Sequence, residues 1–143
     1  MRAMAASAFF ALIGSAWAQE TPVGLWRNID DKTHQPKAEI RVVETAGVIS
    51  ARIEKRLTAG AKPEDRCTKC EDDRKDMPLL GLEIIRQVKK TDEPGVWGGG
   101  EILDPENGRT YRATLRVIEG GRKLEVRGSF GPFGRTQTWL RAE

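Results

Sequence analysis

Residues 96–141 read VWGGGEILDPENGRTYRATLRVIEGGRKLEVRGSFGPFGRTQTWLR. Apolar and polar side chains alternate here, and turn-forming residues break the alternation at short intervals. Tyr111, Ala113, Leu115 and Val117 fall on one face of a strand whose other face carries Arg112, Thr114 and Arg116. Leu124, Val126 and Gly128 alternate in the same way with Lys123, Glu125 and Arg127. Gly120-Gly121 between them reads as a two-residue hairpin loop, since glycine enters the left-handed region freely. Asp104-Pro105-Glu106-Asn107-Gly108 is a turn: proline presets φ, and Asn-Gly accepts positive φ. Gly131-Pro132-Phe133-Gly134 reverses the chain again. Gly98-Gly99-Gly100 inside a strand predicts a bulge or a bend.

Working outward gives strands over 24–29, 37–44, 48–55, 82–88, 96–103, 109–118, 123–130 and 135–141. Ala38, Ile40 and Val42 share a face of the second, and Ile49, Ala51 and Ile53 share a face of the third. Asp30 to Pro36 is a loop of Asx and proline chemistry, and Thr45-Ala46-Gly47 is a tight connection. The alternation lapses from Leu57 to Pro78, a polar stretch that holds both cysteines and has room for one polar helical turn over Pro63–Lys75. All but one of the connections suit a hairpin. The fold class expected is therefore all-β, an antiparallel up-and-down β-barrel of about eight strands, which removes exposed edges. A two-sheet sandwich competes, but it needs long crossovers that are scarce here.

The chain has 143 residues, one domain's worth, with 24 Lys and Arg against 21 Asp and Glu. No block of like charges is long enough to bind nucleic acid. Arg2, an apolar run from Ala3 to Ile13, and Ser15-Ala16-Trp17-Ala18 form the three parts of a signal peptide, with cleavage expected before Gln19. The run is too short to span a bilayer, which takes about 20 residues. The expected organisation is a signal peptide over 1–18 and one barrel domain over 19–143, placed in the periplasm or secreted.

Several motifs together resemble one family. They are Gly24-x-Trp26, the loop Asp30 to Pro36, Cys67-x-x-Cys70, Pro78-Leu79-Leu80-Gly81-Leu82, Trp97-x-Gly99-Gly100-x-Ile102-Leu103-Asp104-Pro105, Gly108-x-Thr110-Tyr111, Leu124-x-Val126-Arg127-Gly128 and Gly134-Arg135-Thr136-Gln137-Thr138-Trp139-x-Arg141. They closely resemble a bacterial secreted family catalogued as a domain of unknown function, family number 2147. That family is similar in fold to lipocalins, so the resemblance implies a lipocalin-like, calycin-type barrel and implies no activity. Lipocalin-like proteins pair an opening Gly-x-Trp with an arginine on the last strand, which implies that Arg141 (or Arg135) covers Trp26. The mid-chain Thr-Asp-Tyr of true lipocalins is missing.

Few residues point to chemistry. Cys67-Thr68-Lys69-Cys70 lacks the βαβ context of a thioredoxin site, the histidine of a haem site and the four ligands of a zinc site. In an exported protein a structural Cys67–Cys70 disulfide is the favoured reading. His34 stands in a polar loop with no nucleophile arranged near it in sequence. Asp30, Asp31, Asp104 and Glu106 fit turn chemistry better than acid–base pairing. Glu71, Asp72, Asp73 and Asp76 lack the spacing of a calcium loop. Arg41, Arg52, Arg112, Arg116 and Arg127 read either as an anion-binding face or as an outer face paired with Glu39, Glu54 and Glu125.

The small inward residues Ala38, Ala51, Ala113 and Gly128 either relieve crowding or leave a cavity. The candidate ligand-binding residues are Trp26, Ile40, Ile53, Trp97, Tyr111, Ala113 and Trp139. The expectation is a non-catalytic protein, without cofactor or metal, that binds a small apolar or amphipathic molecule. The alternative is an envelope module whose rim loops bind a partner protein.

Overall fold

The computed structural model describes residues 20–143. The expected signal segment, residues 1–18, lies outside them. Strands β1 (Gly24–Ile29), β2 (Pro36–Thr45), β3 (Val48–Arg56), β4 (Glu83–Lys90), β5 (Val96–Asp104), β6 (Arg109–Ile118), β7 (Lys123–Phe130) and β8 (Phe133–Arg141) follow in chain order. Each pairs antiparallel with the next, and β8 returns to β1, closing the barrel. The up-and-down topology expected from the alternation is therefore the one found, and no strand crosses over another.

The inward parity matches the sequence pattern. Trp26, Ile40, Val42, Ile49, Ala51, Ile85, Val88, Ala113, Leu115 and Leu124 are buried in one core. Each large apolar side chain so buried stabilises the barrel by about 1.5–3 kcal/mol. Two-residue connections at Ala46-Gly47 and Gly131-Pro132 follow the expected turn chemistry. The register of β5 on β6 shifts between Trp97 and Gly100, so the glycine triplet forms the expected bulge.

Two local expectations are corrected. The β6–β7 connection is not a two-residue loop at Gly120-Gly121. The last pair is Ile118 with Lys123, which leaves Glu119 to Arg122 as a four-residue loop with a 3-10 turn at Glu119–Gly121. The added length brings the Gly121 carbonyl to the Arg141 guanidinium, 2.5 Å from Nε. The stretch Pro63–Lys75 forms no helical turn. It folds back through an Arg66–Pro78 bridge, with the Cys67 N–H donating to Met77 O at 2.8 Å and the Asp76 N–H donating to Cys67 O at 2.9 Å.

The barrel has two unlike ends. One end carries the β2–β3, β4–β5 and β6–β7 connections and is filled. There Trp26 is fully buried, its Nε1 donates to Pro22 O at 2.7 Å, and Arg141 covers its ring. Gly24 has φ +136, and a Cβ on it would lie 2.6 Å from Arg141 Nη1, so glycine two residues before Trp26 makes room for the guanidinium. The other end carries the β1–β2, β3–β4, β5–β6 and β7–β8 connections and holds the cavity described next.

Candidate functional site

A cavity of about 570 Å³ opens at this second end. Ile40 from β2, Ile53 from β3, Ile84 from β4, Val126 from β7 and Trp139 from β8 give it buried apolar walls. It lies at the end that carries the long β3–β4 connection, residues 57–82. Phe130 and Phe133 face each other across the β7–β8 hairpin and form an exposed aromatic lip, 75% and 77% accessible.

Polar groups sit on the rim and on one wall. Lys37 Nζ lies 2.6 Å from Glu106 Oε1 and 3.9 Å from Asp30 Oδ2, linking the start of β2 to the β5–β6 turn. Arg56 Nη1 lies 2.6 Å from Asp65 Oδ2, and Arg135 pairs with Asp31. Backbone N–H groups of Thr33 and Lys32, with Lys37 nearby, hold the Asp30 carboxyl below its usual range. The Tyr111 hydroxyl accepts a hydrogen bond from Asn107 Nδ2 at 3.0 Å. Trp139 Nε1 donates to Gln137 Oε1 at 3.4 Å. Asn28 Oδ1 is buried in the cavity wall without a hydrogen-bond partner. A buried acceptor left unpaired costs about 1–3 kcal/mol.

The structure distributes the seven candidate ligand-binding residues over two regions. Ile40, Ile53, Tyr111 and Trp139 line the cavity. Trp26, Trp97 and Ala113 are buried outside its lining, among the residues of the core cluster. The small residues do not make the cavity on their own. A Cβ on Gly100 would fall 2.1 Å from the Arg86 carbonyl oxygen, so that glycine permits close approach of β4 to β5. The space over Gly128 is occupied by Tyr111 and Ile102, 3.3 and 3.4 Å from an added Cβ.

Asn28, Ile84, Phe130 and Phe133 were not among the candidates. Asn28 is legible in hindsight, because it stands two residues from Trp26 on the inward parity of β1. Ile84 is not, because register irregularities between β3 and β4 bring Ile84 and Ile85 into the core together.

Cys67 and Cys70 form a disulfide, and both are buried in the core cluster. Beside them Arg74, 1% exposed, donates from Nε and Nη2 to Asp72 and from Nη1 to Glu83 O at 2.9 Å. The Arg74 side chain holds the Asp72 carboxyl down at about 2. Arg86 grips Asp73 through two bonds of 2.9 Å. Asp72 and Asp73 are thus bound by arginines, which fastens the long loop to the barrel. Among the described residues, no group of three His, Cys, Asp or Glu is placed to hold a metal ion. His34 lies exposed in the β1–β2 loop. Asp104 Oδ1 accepts the Glu106 N–H at 2.9 Å, as a turn residue does.

On the outer face Arg41 pairs with Glu54 at 2.7 Å, Arg27 with Glu39 at 3.4 Å and Arg116 with Glu93 at 3.0 Å. Arg41, Arg52 and Arg116 thus each face a carboxylate, while Arg112 and Arg127 form no ion pair with any described residue. Exposed pairs of this kind contribute little to stability, about 0–1 kcal/mol each.

Among solved structures the chain is similar to one titled "Protein HP1028 from the human pathogen Helicobacter pylori belongs to the lipocalin family". The TM-score is 0.71 at 18% identity, over 85% of this chain and 82% of that one, a likeness that concerns the fold. No curated protein matches the chain. The family model described as "Uncharacterized protein conserved in bacteria (DUF2147)" matches residues 24–141, from the first residue of β1 to the last of β8. The chain belongs to that family, and its fold is a closed, eight-stranded, lipocalin-like barrel.

Proposed function

We propose that this protein is an exported, non-catalytic barrel that holds one small amphipathic molecule in the cavity behind Phe130 and Phe133. The observation that carries this reading is the cavity of about 570 Å³, apolar at its walls and polar at its rim. Cavities of about 300–1,000 Å³ with that distribution are the usual form of a small-molecule site. The lipocalin likeness of the fold supports the same reading. Export is supported by the three-part signal sequence over 1–18, with a mature domain over 19–143, and by the Cys67–Cys70 disulfide, since disulfides persist in oxidising compartments. In this reading the disulfide is structural.

Native mass spectrometry of protein purified from a bacterial periplasm tests the proposal. The expected spectrum shows an adduct of a few hundred daltons that is lost on mild activation, and N-terminal sequencing begins at Gln19. A mass equal to the bare chain, with no uptake of any added amphiphile, would overturn it.

A second reading has its own observation. Phe130 and Phe133 at the ends of β7 and β8, and Met77 and Leu80 on the β3–β4 loop, are large apolar side chains left exposed at this end. They favour a rim that binds an envelope protein, and a pull-down that tolerates a filled cavity but not Phe130→Ser would select it.

A further inference from the structure

The charge balance of the rim bears on what head group the cavity accepts. Three cations line it: Lys37, Arg56 and Arg135. Each already faces a carboxylate: Lys37 faces both Glu106 and Asp30, Arg56 faces Asp65, and Arg135 faces Asp31. Asp104 lines the same cavity and forms no ion pair with any described residue. Its Oδ1 accepts the Glu106 backbone N–H, which leaves its charge uncompensated. Arg109 stands opposite it in the β5–β6 register and does not reach it as an ion pair. An anionic head entering here would meet Asp104 and Glu106, beside rim cations whose charge a carboxylate already offsets. A cationic head would meet an unpaired carboxylate at once.

The aromatic groups point the same way. Tyr111, Phe130, Phe133 and Trp139 all line the cavity. The faces of such rings carry negative potential and attract amines and quaternary ammonium groups. Their number around a single opening with an unpaired carboxylate matches the chemistry of a cation, whereas a fatty-acid head would find each rim guanidinium and ammonium group already facing a carboxylate.

Building on the cavity reading above, we propose that the protein takes an amphipathic molecule with a cationic amine or ammonium head. The head sits on the Asp104 side of the mouth, and the apolar body runs along Ile40, Ile53, Val126 and Trp139.

Calorimetric titration of the mature protein with three probes of one chain length tests this: decyltrimethylammonium, 1-decanol and decanoate, each below its micelle-forming concentration. The expected result at low salt is ammonium binding about tenfold tighter than decanoate, with decanol between them. Asp104→Asn keeps an oxygen for the Glu106 N–H, and it is expected to cut that ratio to about threefold or less. If that variant does not fold, the salt dependence of the wild type serves instead, because the ratio should shrink as salt rises to about 0.5 M. Equal or tighter binding of decanoate, or a preference indifferent to both the variant and salt, overturns the cationic head while leaving the ligand-binding barrel intact. Binding of none of the three overturns both.

Discussion

The Arg141 guanidinium lies 4.1 Å from the centre of the Trp26 ring, and it closes the filled end of the barrel. It also donates to Val23 O and Thr21 O, at 2.9 Å each, and to Gly121 O. One side chain from the last strand therefore joins the N-terminal lead, the first strand and the β6–β7 loop. The β1–β8 seam needs such a clasp, because only Trp26 with Arg141 and Arg27 with Leu140 face each other along it. Burial pushes the Arg141 pKa down from its usual range, although the group stays charged in the neutral range.

Replacing Arg141 by Met should therefore destabilise the fold by about 2–4 kcal/mol, combining a lost cation–π contact with carbonyls left unpaired. Urea unfolding followed by tryptophan fluorescence measures it. Arg141→Lys should recover only part, since an ammonium cannot fork to several carbonyls while stacked on a ring. Ligand affinity should change little in either variant, because the clasp lies at the end away from the cavity.

Cavity and core should answer differently to the same enlargement. Ile53 lines the cavity, and Ile49, four residues earlier on β3, is fully buried outside its lining. Ile53→Trp should fold with a loss below about 1.5 kcal/mol and abolish uptake of an amphiphile. Ile49→Trp should cost about 1–3 kcal/mol or more, as overpacking does in a filled core. Paired thermal melts and titrations give both quantities, and equal losses at the two sites would contradict an open end.

Reduction of the Cys67–Cys70 bond, or its replacement by two serines, should cost about 2 kcal/mol by the loop-closure estimate for so small a ring. The effect should be local. Hydrogen exchange is expected to accelerate across 57–82 while β6 and β7 keep their protection, because the barrel ladder does not depend on this loop.

Acid should loosen the same loop. The Asp72 carboxyl is held down at about 2 by Arg74, so its folded pKa lies below its unfolded value of about 3.9. Its contribution is therefore complete above about 3.9 and fades as the pH falls towards about 2. Stability measured from pH 5 to pH 2 should decline less steeply in Asp72→Asn than in the wild type, while lying lower at neutral pH.

The strand pattern was legible because alternation and turn chemistry act over a few residues. β1, β6 and β7 begin and end where the sequence places them, and the other boundaries move by one or two residues. The β6–β7 loop was misread because Glu119 also adopts positive φ, at 51°, which a Gly-Gly pair next to it conceals. Arg74 stands in the sequence among acidic residues, in a polar stretch that gives no sign of a buried side chain. Its burial depends on Glu83 and Glu101 arriving from two other strands, and no local pattern announces that.

The alternation, the turns, the cysteine pair and the Gly24-x-Trp26 start can be read from the order of amino acids alone, and with them an eight-stranded barrel. Side-chain period and φ preferences are local quantities, so a single chain displays them directly. Which end of that barrel is filled emerges from the folded chain. Ile40 and Ile49 share the inward parity, yet Ile40 lines a cavity and Ile49 is packed against the core. That difference depends on which side chains and loops meet at each mouth, relations between residues far apart in the chain.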